Sequence, residues 1–67
     1  MKEKLDYFLY GGNYSIEDNI DYRNEYYFIG LFSCVDEAII VAEKLQLKWF
    51  SVYLNDNIIP VSYSRKF

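Results

Sequence analysis

Leu5, Tyr7 and Leu9 alternate with Lys4, Asp6 and Phe8 before the chain meets Gly11-Gly12-Asn13. A period of two that ends on a turn signal predicts a first strand over Lys4 to Tyr10, with one clearly apolar face. Glu25 to Phe32 (EYYFIGLF) is apolar on both parities and rich in aromatic residues, as expected of a central strand covered on both sides, and Gly30 within it marks a bulge or a close contact. The period then changes to that of a helix. Val35, Ala38, Ile39, Ala42, Leu45 and Gln46 share one stripe, apolar except for Gln46, and Ser33 supplies N-cap chemistry with Asp36 at the third helical position. The expected helix runs from Ser33 to about Leu47. Lys48 to Leu54 alternates as a third strand, Asn55-Asp56-Asn57 forms a tight turn, and Ile58 to Tyr63 returns as a fourth strand that Pro60 either confines to an edge or kinks.

These elements make an α+β domain of ββαββ plan, a small antiparallel-rich four-stranded sheet with one helix packed on one face, spanning residues 1–67. Gly11 to Asn24 is the longest connection, and Ser15 with Asp18 and Ile16 with Ile20 are spaced for one helical turn within it.

One helix covers one sheet face, so the other parity decides how the domain meets its surroundings. Leu5, Tyr7, Leu9, Tyr27, Ile29, Leu31, Phe50, Val52, Leu54, Ile59, Val61 and Tyr63 form the more aliphatic set, expected beneath the helix. Opposite them stand Phe8, Tyr10, Tyr26, Phe28, Phe32, Trp49 and Tyr53, with Gly30, Ser51 and Ser62 between. Seven rings on an uncovered face exceed what a monomer usually exposes. Two readings follow. In one, the face is the seam of a homo-oligomer, with Phe8 and Phe32 in the contact. In the other, Tyr10, Tyr26, Phe28, Trp49 and Tyr53 stack on a planar ligand such as a nucleotide, and Arg23 and Arg65 meet its phosphate. The two are compatible if the ligand lies at the seam. Ile40 and Leu47, seven apart on the polar side of the helix, form a second contact with another subunit or target, unless Ile40 lies beneath the Gly11 to Asn24 connection.

Size and charge sharpen this picture. A chain of 67 residues hides only about 60% of its unfolded surface. With one cysteine and no histidine, neither an internal disulfide nor a zinc site can reinforce it. Self-association is therefore expected, as a dimer or higher. The apolar fraction of 52% with a net charge of -3 excludes a disordered chain and disfavours non-specific nucleic-acid binding, which requires phosphate neutralisation. Met1-Lys2-Glu3-Lys4, which carries an acid, and the short apolar stretch Tyr7 to Tyr10 do not read as a secretion signal, and no segment approaches a membrane span. A cytoplasmic protein is expected, in a bacterial host on the AT-rich codon preference of its residues.

Little in the chain suggests catalysis. The commonest general base is missing, and Cys34, at the start of the helix, has no base or second thiol to work with. It is expected to be buried or half-buried. Glu17, Asp18 and Asp21 lack calcium-loop spacing, and Gly11-Gly12 lacks the lysine or helix of a phosphate loop, so no cofactor or metal is expected.

The run FIGLFSCVDEAIIVAEKL, Phe28 to Leu45, passes from a strand through Ser33 into an amphipathic helix and resembles small orphan proteins of bacteria and phages. The resemblance implies an inhibitor of bacterial immunity, acting by sequestering a nucleotide-derived signal or by occluding a defence protein. Three functions are thus in play: a non-enzymatic nucleotide sponge with an aromatic seam; a protein-binding inhibitor that turns Glu17, Asp18, Asp21 and Glu25, near Tyr14 and Tyr22, toward a basic target; and a structural phage protein.

Overall fold

The computed structural model describes residues 5–13 and 25–65. In chain order these form β1 (Tyr7–Gly12), a 3-10 helix (Glu25–Tyr27), β2 (Phe28–Phe32), α1 (Val35–Lys44), β3 (Trp49–Leu54) and β4 (Ser62–Arg65). The four strands make one antiparallel sheet in the order β2-β1-β3-β4, with α1 on one face. The α+β class and the ββαββ order are as the hydrophobic pattern predicts.

β1 and β3 form the spine. Their register pairs Tyr7 with Leu54, Leu9 with Val52 and Gly11 with Phe50 on the helix side, and Phe8 with Tyr53, Tyr10 with Ser51 and Gly12 with Trp49 on the other. Asn55 extends the pair past its end: its amide donates to the Asp6 carbonyl at 2.8 Å, and its Oδ1 accepts from the Asp6 amide at 2.9 Å. Asn55 has a φ of 51°, a conformation that asparagine tolerates better than most residues.

The helix approaches through small side chains. Ala38 and Ala42, four apart, are buried against Leu9, Phe50 and Val52, while Val35, Ile39 and Val41 flank them half-buried. Its start is one residue later than expected of a Ser33 cap. Cys34 occupies the N-cap in extended backbone without a side-chain cap bond, and Ser33 Oγ donates to Glu37 Oε2 at 3.3 Å.

The helix also stops earlier. Lys44 is its last residue; Gln46 adopts a φ of 55°, its amide donates to the Glu43 carbonyl at 3.0 Å, and the Leu47 amide donates to the Ala42 carbonyl at 3.2 Å. This paired closure satisfies carbonyls left over at the helix end and turns Leu47 back onto the core beside Ala42. Leu47 is therefore not a partner of Ile40 on the outer helix face. It is a buried residue that closes the helix, while Ile40 remains half-exposed. Leu45, expected in the buried stripe, is about half exposed at the helix C-cap.

Two faces differ from the simple alternation. In β2 the register slips between Leu9↔Gly30 and Tyr10↔Phe28, leaving Ile29 as an extra residue. This is the bulge anticipated near Gly30, and it reverses the parity beyond it. Phe28 keeps the face of Tyr10, but Leu31 lies opposite Phe8 and Phe32 lies opposite Tyr7, packed under the helix. Phe32 does not belong to the aromatic face. In β4, Tyr63 pairs with Ser51 and Ser62 with Val52, which puts Tyr63 on the aromatic side and Ser62 on the other, the reverse of the expected order, while Arg65 pairs with Trp49. Pro60 has no amide to donate and biases Ile59 toward extended backbone, so the return strand forms only from Ser62, after an irregular stretch through Ile58 and Ile59.

Gly11 stands where backbone meets backbone. A Cβ there would lie 2.7 Å from the Trp49 carbonyl oxygen and 2.8 Å from Leu47 Cδ1, whereas one at Gly30 would meet only the Phe32 ring, at 3.5 Å. The Gly11-Gly12 pair thus serves packing and pairing; the Gly12 carbonyl accepts from the Lys48 amide at 2.9 Å. Gly11→Ala should destabilise the protein by about 1–3 kcal/mol, while Gly30→Ala should be neutral or stabilising by less than about 1 kcal/mol. Urea midpoints in the opposite order would refute this packing. Gln46→Gly should raise stability by roughly 0.5–1 kcal/mol, because glycine adopts the left-handed conformation without strain.

Candidate functional site

The aromatic side of the sheet is a second core rather than an open platform. Trp49 is 1% exposed, Tyr53 5% and Tyr10 7%, with Phe8 and Tyr27 packed half-buried against them. The rings meet edge to face: Tyr10 against Tyr53 at 5.6 Å and 82°, Tyr10 against Phe28 at 5.5 Å and 63°, and Tyr27 against Trp49 at 5.3 Å and 83°. Phe8 reaches Phe28 at 6.2 Å. Such geometries place the positive edge of one ring on the negative face of another and add about 0.5–1.5 kcal/mol per pair to the area buried.

Sequence periodicity places Tyr27 on the helix side. The turn of 3-10 helix before β2 carries it instead over Trp49, since three residues per turn do not keep strand alternation. Tyr26, beside it, points outward and is 81% exposed while touching the Tyr27 ring at 5.3 Å.

The residues expected to hold a planar ligand thus divide into a buried set and an exposed one. Trp49, Tyr53 and Tyr10 are buried, Phe28 is partly exposed at the rim, and Tyr26 is largely exposed. Arg65 is exposed at the end of β4, its guanidinium carbon 5.2 Å from the centre of the Tyr63 ring. Arg23, Glu17, Asp18 and Asp21, and the helical turn expected near Ser15, lie outside the described residues. Among the interface candidates, Phe8 is half-buried in the aromatic core, Phe32 and Leu47 belong to the helix-side core, and Ile40 faces outward.

Cys34 is exposed rather than buried, because the N-cap turn directs its thiol away from both cores. Among the described residues no three His, Cys, Asp or Glu side chains stand together as a metal site, and no helix is long and apolar enough to cross a membrane.

What the alternation missed is an apolar rim. Ile58 is 85% exposed and Ile59 74%, and Val61, Tyr63, Leu31 and Leu5 are each about half exposed. The available signal was Pro60: a proline two residues after Ile58 argues against a regular ladder there and hence against burial of the isoleucines.

Two shallow hollows lie on this surface. One of about 610 Å³ is bounded by Leu5, Asp6, Leu31, Phe32, Ser33 and Glu37 and carries two carboxylates, an unfavourable setting for a phosphate. The other, of about 340 Å³, is formed by Asn57, Ile58, Ile59, Pro60 and Val61.

No protein-family model, curated protein or solved structure matches this chain. Its functional reading therefore rests on its own geometry.

Trp49→Ala should cost about 3–5 kcal/mol, enough to unfold much of a domain this small. Tyr26→Ala should cost less than about 1 kcal/mol, as expected of a largely exposed side chain. Chemical denaturation of the two variants measures this directly. Equal and small effects would mean that Trp49 is not the centre of a core.

Proposed function

We propose that this protein is a non-enzymatic protein-binding module that acts by covering a surface of another polypeptide. The observation that carries this reading is the distribution of apolar side chains. The large rings suited to stacking are buried against one another, while Tyr26, Phe28, Leu31, Ile58, Ile59 and Val61 are exposed around them. Aliphatic and aromatic side chains standing out from a rigid sheet suit the centre of a protein interface, where a few apolar anchors provide most of the affinity. The acidic side chains Asp36, Glu37 and Glu43, exposed on α1 around half-exposed Ile40, favour a partner with basic character and would speed its approach.

The nucleotide-sponge reading loses its main support, since stacking on Trp49 or Tyr53 requires a ring face open to the ligand. The resemblance of Phe28 to Leu45 to phage and bacterial orphan proteins makes a bacterial defence protein the partner of choice, with the complex formed in the cytoplasm of the host. In this role the chain is an occluding inhibitor.

Calorimetric titration with adenine and guanine nucleotides should show no binding below millimolar concentration. A photo-crosslinking residue in place of Leu31, expressed in a bacterial host that carries defence systems, should trap one discrete host polypeptide, and Phe28→Asp should abolish the adduct. Micromolar nucleotide binding that weakens with Arg65→Gln would overturn this reading in favour of the sponge.

A further inference from the structure

We propose that the segment Asn57–Val61 is a self-docking site, at which two copies of this chain pair about a two-fold axis. This deepens the reading of the exposed apolar rim as a protein-binding surface and rests on it. Three features select a second copy as the occupant.

The first is shape. A two-fold interface places the same patch on both subunits, so a patch that contains both a projection and a recess can satisfy itself. Ile58 projects at 85% exposure, and the same five residues, Asn57 to Val61, border a hollow of about 340 Å³. Each Ile58 can then enter the hollow of the partner.

The second is charge. The chain carries a net charge of -3, so two copies repel one another overall, most where acidic side chains meet. From Asn57 to Ser64 no residue is charged. Pairing here brings together the copies without like charges at the centre of the contact.

The third is area. Ile58, Ile59, Val61 and Tyr63 each leave about half or more of their surface in water. With the neighbouring backbone, two such patches cover on the order of 1,000 Å² in total, the low end of specific association. Pro60 has no amide to donate and the segment Asn57–Val61 lies outside the strands, so the contact within it forms by side-chain packing. A contact of this size and kind gives a reversible dimer with a dissociation constant in the micromolar range.

Sedimentation equilibrium of the wild-type protein between about 5 and 500 μM should show this monomer–dimer transition. Ile58→Asp should weaken it roughly 30-fold or more; because the side chain is exposed in the monomer, the variant should keep its circular dichroism and its urea midpoint. Leu31→Asp, on the opposite edge strand, should leave the dimer intact. A wild-type protein that stays monomeric across that range, or an Ile58→Asp protein that dimerises as before, overturns the proposal. The docking reading fails separately: a monomer that still gives the Leu31-position crosslink removes only the self-docking site, and a dimer without that crosslink removes only the host partner.

Discussion

The pairing of β1 with β3 is the constraint on which the rest of this structure depends. Both strands are apolar on both faces, so the pair is stable only if each face is covered, and one ten-residue helix can cover only one of them. The fold resolves this asymmetrically. Beneath α1, two alanines bring the helix close enough for Leu9, Phe50 and Val52 to lose all or nearly all of their exposure. On the other face, large rings close against one another and against Tyr27, so the sheet has a core on each side. Gly11 is where this central pair requires glycine, because the Trp49 carbonyl and Leu47 occupy the space that any Cβ would need.

That second core changes the functional logic. Aromatic residues on an open sheet invite the interpretation of a stacking surface, yet edge-to-face contact satisfies the rings within the chain and leaves their faces unavailable. Exposed apolar area has moved outward, to the edge strands and to the stretch between β3 and β4.

The element order and class were legible because each strand and the helix carry their own hydrophobic period. Boundaries and faces were less so, and three local events account for the differences. An extra residue at Ile29 inverts Leu31 and Phe32, since a period of two cannot register a one-residue slip. The left-handed residue Gln46 folds Leu47 inward, although helical spacing places it outward with Ile40; nothing in a glutamine announces that conformation, which glycine usually fills. Pro60 delays β4, and Tyr63 lies on the aromatic side. For the candidate site, Trp49, Tyr53 and Tyr10 were correctly grouped on one face, but alternation reports which residues share a face and not whether that face is covered. Tyr27 is the instructive case, because the 3-10 turn that brings it over Trp49 has no period long enough to read.

The claim that the aromatic side is a closed core is tested most directly by proton NMR in the presence of a soluble paramagnetic chelate, which broadens resonances according to their access to solvent. The structure requires the ring signals of Trp49, Tyr53 and Tyr10 to remain sharp while those of Tyr26 and Tyr63 broaden first. Broadening of the Trp49 indole to the same degree as Tyr26 would contradict it and return the open stacking face to consideration.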